Sequence, residues 1–141
     1  DQVADRLYTT ERSAADNLLR EGVAASRICF AGNVMIDSLQ HHRARAASAA
    51  DTLRAHGLDP AAIAGGYGVV TLHRPSNVDQ AETLGPLLDT LATVARDLPL
   101  VFALHPRTRG NIERFGLAGR IDPARMLMLP PQGYLEMLGL M

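Results

Sequence analysis

Thr71-Leu72-His73-Arg74-Pro75-Ser76-Asn77 leaves an apolar run over residues 67–72 that has Val69 and Val70 at its centre. So short a β-branched run predicts a buried strand. Pro75 marks its end, because proline cannot donate to a ladder and biases Arg74 toward an extended conformation. Working toward the C-terminus, Leu84, Leu87, Leu88, Leu91, Val94 and Ala95 recur at three and four residues, which predicts an amphipathic helix reaching about Asp97. A second apolar run at 100–104 delivers His105-Pro106-Arg107. A short helix around 111–115, a strand at 126–129 and a helical start after Gln132 follow.

Toward the N-terminus, Ala14, Ala15, Leu18 and Leu19 lie on one helix face, with Thr9 or Thr10 as the expected N-cap and Gly22 as the stop. Residues 27–31 read as a buried strand holding Cys29 and ending at Gly32-Asn33. An alanine-rich stretch over 35–56 predicts one long helix closed by Gly57, and 57–66 read as a loop. Strands alternating with helices over some five units predict an α/β fold, a parallel sheet covered on both faces. Such sheets bind ligands at the carboxyl ends of their strands. Gly32-Asn33, His73-Arg74, His105-Pro106-Arg107 and Pro131-Gln132 are therefore the positions to interrogate.

His73 follows a strand directly, where its imidazole can donate to a phosphate oxygen or move a proton, or merely cap the strand. Arg74 adds donors suited to phosphate, or is a solvated charge. Ser76 and Asn77 can help hold an anion at a helix start, or act as ordinary caps. His105, Pro106 and Arg107 repeat the arrangement one strand on. Two histidines with basic neighbours suit a diphosphate better than a metal, because no carboxylate or third histidine has ligand spacing. His41 and His42 read as solvated, His56 as a structural group at a helix C-terminus. Tyr134 and Met137 read as packing residues, and Gln132 as a possible hydrogen-bond partner for a base.

The 141 residues carry a formal net charge of -1 with both signs interspersed, so there is no electrostatic footprint for nucleic acid or an anionic membrane. One cysteine excludes an internal disulfide and a thiolate zinc site. No apolar run approaches the roughly 20 residues that span a bilayer, and the acidic start Asp1-Gln2-Val3-Ala4-Asp5-Arg6 is unlike a signal peptide. A cytoplasmic protein is expected. The lack of an initiator methionine and an end inside an apolar segment lead to the expectation of a chain incomplete at both ends. No Gly-x-Gly-x-x-Gly follows a strand and no Walker lysine is present, which argues against a dinucleotide oxidoreductase or an ATPase, and Gly-x-Ser-x-Gly is absent too.

Taken in order, Asp5-Arg6-Leu7 with Thr10-Glu11, Asn17 to Val23, Gly32 to Asp37, Val70 to Arg74 with Asn77-Val78-Asp79, Leu104 to Arg107 and Pro131 to Leu135 resemble the non-hydrolysing UDP-N-acetylglucosamine 2-epimerases over nearly the whole chain. The resemblance implies a GT-B-type arrangement of two Rossmann-like domains. Residues 1–33 would end the N-terminal domain and 34–141 would form the first part of the C-terminal, nucleotide-binding domain. It implies a cytoplasmic isomerase, homodimeric when complete, that eliminates UDP to give 2-acetamidoglucal and re-adds it with the opposite C2 configuration, with no cofactor or metal. His73 would contact the UDP diphosphate side as the catalytic residue. Arg74, Ser76, Asn77, His105 and Arg107 would contribute to substrate binding. Gln132 and, through its backbone, Met137 would contact uracil. His105 matches a histidine linked in some bacterial members to a second, activating UDP-N-acetylglucosamine.

Pro75-Ser76 stands where relatives carry an Arg-Glu pair, so no role passes from that glutamate. The family's acid/base carboxylates would precede residue 1, and its Asp-Ser-Gly-Gly segment would follow Met141, so this chain alone is expected to be inactive. A hydrolysing epimerase, a GT-B glycosyltransferase and a non-catalytic sugar-nucleotide-binding module remain as alternatives.

Overall fold

The computed structural model describes residues 3–141. Asp1 and Gln2, the first residues of the acidic start, lie outside the described residues. The chain divides into two compact units, one ending at Arg45 and the other spanning Ala46–Met141.

In the first unit β1 (Leu7–Thr9) and β2 (Ile28–Phe30) pair in parallel, Leu7 opposite Ile28 and Thr9 opposite Phe30. Between them runs α1 (Arg12–Arg20). Its N-cap position is Glu11, with no side-chain cap bond, because Thr9 is still strand. Neither expected threonine cap forms. Gly22, at φ 86°, closes the helix as expected. Cys29 is exposed and Phe30 half exposed, against the expectation of a buried strand. Alternate side chains of a strand point to opposite faces, and a two-stranded sheet with one helix has little to cover both.

α2 (Val34–His42) starts at Asn33, whose Oδ1 accepts from the Met35 amide at 3.0 Å. It passes into a 3-10 turn, Arg43–Arg45, and then breaks before α3 (Ala49–Ala55). The single long helix expected over 35–56 is thus two. Ser48 causes the break: its Oγ accepts from the Asp51 amide at 3.0 Å and donates to Asp51 Oδ2 at 2.7 Å. That reciprocal cap starts a new helix and overrides alanine propensity. The units divide at this break, so α2 groups with the first of them.

The second unit holds β3 (Gly68–Val70), α4 (Pro75–Val78), α5 (Ala81–Asp97), β4 (Leu100–Ala103), α6 (Pro106–Arg114), β5 (Met126–Leu129) and α7 (Tyr134–Leu140). The strands pair in the order β3-β4-β5, all parallel, with Val69 beside Val101 and Val101 beside Leu127. β4 is the centre and is buried along its length. Its alternate residues serve two cores. Leu100 and Phe102 pack with Leu84, Leu88 and Ile112, while Val101 packs with Leu53, Ile63 and Leu140. Each such fully buried side chain contributes about 1.5–3 kcal/mol.

Both faces are therefore covered, as expected for this fold class. Tyr67 precedes β3 rather than opening it, and its hydroxyl donates to the Leu140 carbonyl at 2.8 Å. Burial pushes the Tyr67 phenol up from its ordinary value. Among the described residues no helix is long and apolar enough to cross a membrane.

Candidate functional site

The carboxyl ends of all three strands of the second unit open onto one cleft of about 170 Å³. Thr71, Leu72 and His73 come from the turn after β3, Ala103 and His105 from the end of β4, Pro131 and Gln132 from the turn after β5, and Met137 from α7. Four residues expected from the sequence, His73, His105, Gln132 and Met137, are brought together here. The cleft is smaller than the roughly 300–1,000 Å³ of a typical ligand site. It suits one moiety of a larger ligand.

His105 is placed by α6. The helix begins at Pro106, several residues earlier than expected, because proline suits the first helical position and His105 supplies the cap. Its Nδ1 accepts from the Arg107 amide at 3.2 Å. An accepting Nδ1 puts the proton of the neutral ring on Nε2, which is then a donor.

Gln132 is oriented by two contacts. Its Nε2 donates to the Pro130 carbonyl at 2.7 Å and lies 3.2 Å from His56 Nε2. With the amide nitrogen so engaged, the side-chain oxygen is the group offered to a ligand donor. His56 does cap α3, as expected, but its contact with Gln132 was not foreseen. The two residues are far apart in sequence, and neither carries a pattern that would pair them.

Arg74, Ser76, Asn77 and Arg107 lie outside the cleft lining. Arg74 holds the N-cap position of α4 without a side-chain cap bond. Ser76 and Asn77 sit within that one-turn helix, 3.4 Å apart through Oγ and Oδ1. Ser76 also borders a neighbouring depression with Pro75, Asp79 and Gln80.

Arg107 forms a two-point ion pair with Asp79, Nε to Oδ1 at 2.6 Å and Nη2 to Oδ2 at 2.5 Å. Hydrogen bonding from Arg107 holds the Asp79 carboxyl below its ordinary value of 3.8, with the charge of Arg107 and a bond from Asn111 acting the same way and burial opposing. Asp79 was expected only within the Asn77-Val78-Asp79 match to the epimerases, with no role in the site.

A second cavity of about 180 Å³ lies elsewhere in this unit, lined mainly by Leu104, Ile112, Ala118, Ile121, Pro123 and Met128. Arg109 and Glu113 are the charged groups there, with no imidazole or amide. The strand-end cleft is the chemically equipped one. Its two imidazoles and one oriented amide can donate to anionic oxygens and read a polar ring edge, and no carboxylate lines it. Among the described residues no group of three His, Cys, Asp or Glu is placed to hold a metal ion.

The family model described as UDP-N-acetylglucosamine 2-epimerase matches residues 1–141. The chain belongs to this epimerase family. Among curated family relatives, the UDP-2,3-diacetamido-2,3-dideoxy-D-glucuronate 2-epimerase of Pseudomonas aeruginosa is 37% identical, the match covering 100% of this chain and 37% of that protein. The UDP-N-acetylglucosamine 2-epimerase of Methanocaldococcus jannaschii is 29% identical over 98% of this chain and 38% of that one. A crystal structure of the M. jannaschii epimerase in complex with UDP-GlcNAc and UDP superposes with a TM-score of 0.78 at 28% identity, covering 99% of this chain and 38% of that chain. The chain thus spans 37 to 38% of the length of these curated relatives. The solved epimerases have the GT-B architecture, and the Rossmann-like parallel sheet expected from the sequence is the sheet of the second unit.

Proposed function

We propose that the chain is part of an isomerase that inverts C2 of a UDP-2-acetamido sugar, UDP-N-acetylglucosamine to UDP-N-acetylmannosamine, by eliminating and re-adding UDP. The observation that carries this reading is the convergence of His73, His105 and Gln132 at the strand ends of a chain from this family. In the elimination a base takes the C2 proton, the C1–oxygen bond breaks, and its electrons leave with the UDP diphosphate; in re-addition the C1–oxygen bond re-forms on its original face while C2 takes a proton on the opposite face. Negative charge grows on the leaving diphosphate, so donors aimed at it before reaction lower the barrier. His73 is the catalytic donor in this proposal. His105, Arg74, Ser76 and Asn77 support the anion, and Gln132 with the Met137 backbone reads the uracil.

Removing a carbon-bound proton needs a positioned base. No carboxylate lines the cleft; in this proposal the 141-residue chain alone binds UDP weakly and turns over no sugar nucleotide. The complete protein would act in the cytoplasm as a homodimer, with the crossing between its two domains after Asn33.

The 37% identity to a UDP-2,3-diacetamido-glucuronate 2-epimerase favours a second substrate reading, the same C2 chemistry on a diacetamido uronate. Assaying the complete enzyme with each UDP-sugar by NMR separates the two. Replacing His73 with Asn there should lower kcat about 10²-fold, the usual loss of one such donor. An unchanged kcat, or turnover by this chain alone near that of the complete enzyme, would sink the proposal. Free UDP accumulating with the sugar would instead favour a hydrolysing epimerase, and a requirement for an acceptor a glycosyltransferase.

A further inference from the structure

The segment that carries His73 cannot hold its own shape. β3 ends at Val70, and α4 is a single turn, too short to be stable by itself. What fixes it is α6, through three side chains on one face of that helix. Thr108 is fully buried, and its hydroxyl donates to the carbonyl of Leu72, the residue before His73 and beyond the last ladder position. Asn111 Nδ2 donates to the Val78 carbonyl at 2.8 Å and lies 3.4 Å from Asp79 Oδ1. Arg107 takes the Asp79 carboxylate with both arms of its guanidinium. The first strand-end turn is thus tied at each end, Leu72 and Val78-Asp79, to the helix that starts at the second.

We propose that Thr108, Asn111 and Arg107 are positioning residues that set the His73 turn for its ligand, and that Arg107 acts through Asp79 instead of touching the ligand. The proposal rests on the function inferred above in assigning UDP as that ligand. The three contacts differ in weight. Arg107 and Asp79 are partly exposed, with side chains 51% and 32% accessible, and such pairs contribute little. Thr108 dominates, because its hydroxyl is itself buried and without it the part-buried Leu72 carbonyl loses its donor.

The test uses the 141-residue chain with two readouts, amide hydrogen exchange over residues 72–79 and NMR shift changes with millimolar UDP. Thr108→Val, which keeps the shape and removes the donor, should speed exchange of the hydrogen-bonded Asn77 and Asp79 amides about tenfold, leave β4 amides unchanged and weaken UDP binding. Thr108→Ser should restore both to near wild type. Arg107→Gln and Asp79→Asn should each weaken UDP about two- to threefold, and the double variant no further, since both break one contact.

Unchanged exchange of the Asn77 and Asp79 amides in Thr108→Val, or no rescue by Thr108→Ser, would overturn the positioning role. A large loss of UDP affinity in Arg107→Gln with none in Asp79→Asn would overturn the Arg107 assignment. Should Thr108→Val fail to fold, the exposed Arg107 and Asp79 variants decide the case by the same readouts. If the wild-type chain shows no UDP-dependent shifts, the functional reading fails, and the exchange comparison still decides whether α6 sets the turn.

Discussion

Gly139→Ala should destabilise the chain even though alanine is the better helix former. Gly139 lies in α7, and a Cβ built there would sit 2.7 Å from the Ala47 carbonyl carbon and closer still to its oxygen. Carbon atoms pack at about 3.5–4.0 Å, and here the obstacle is backbone whose oxygen lies nearer than its carbon, so α7 must move outward by well over an ångström. That shift strains the hydrogen bond from the Ala47 amide to the Leu135 carbonyl, 3.1 Å, and unseats Leu140 from the core beneath β4 and β5. Overpacking costs about 1–3 kcal/mol, and losing the hydrogen bond about 0.5–1.5 kcal/mol. The helix preference of alanine over glycine returns about 1 kcal/mol. The net is about 2 kcal/mol of destabilisation, or a midpoint about 4–8 °C lower for a chain of this length. Gly110→Ala is the matched control, because the same Cβ in α6 meets nothing within 4 Å. It should gain about 0.5–1 kcal/mol. Thermal and urea unfolding followed by circular dichroism read both variants. A Gly139→Ala midpoint at or above wild type would refute the close approach of α7 to Ala47.

Three further outcomes follow from other elements. Ser48→Ala removes the cap that splits the alanine-rich stretch and should cost about 0.5–2 kcal/mol in a urea melt; a gain instead would mean that one long helix was the better state. Leu53→Ala empties a fully buried position and should cost about 2–5 kcal/mol, with an effect below 1 kcal/mol contradicting the packing described. The Asp79 carboxyl should titrate below 3.8 by carbon-detected NMR, and Arg107→Gln should bring it back toward that value. Because its folded-state value is depressed, the stability it lends is complete above 3.8 and is lost as pH falls through the lower folded value. A wild-type midpoint at or above 3.8 would contradict the ion pair.

The sheet was the most legible part of the sequence. Apolar runs at 100–104 and 126–129 have few other uses, and both became neighbouring strands. The cleft was legible in the same way, since strand ends carrying His73, His105 and Gln132 must meet if the strands are parallel and adjacent. The alanine-rich stretch misled, because propensity says nothing of where a serine and an aspartate three residues apart will begin a new helix. Cys29 misled for a different reason: an apolar run reports a strand but not how many of its faces are covered. The partners of Arg107 and Thr108 were invisible, since a contact between residues about 30 positions apart leaves no periodic trace. Only the fold brings them together.

The order of strands in the second unit bears on how the cleft is built during synthesis. Each strand pairs with the next one in sequence, with one helical crossover between them, and domains generally form from the N-terminal side as the chain emerges. β3 and β4, with both imidazole turns, can therefore dock before β5 leaves the ribosome. Gln132 and Met137 arrive last. The polar amide that meets a ligand's ring is therefore added to a pair of strands whose two imidazoles have already left the ribosome.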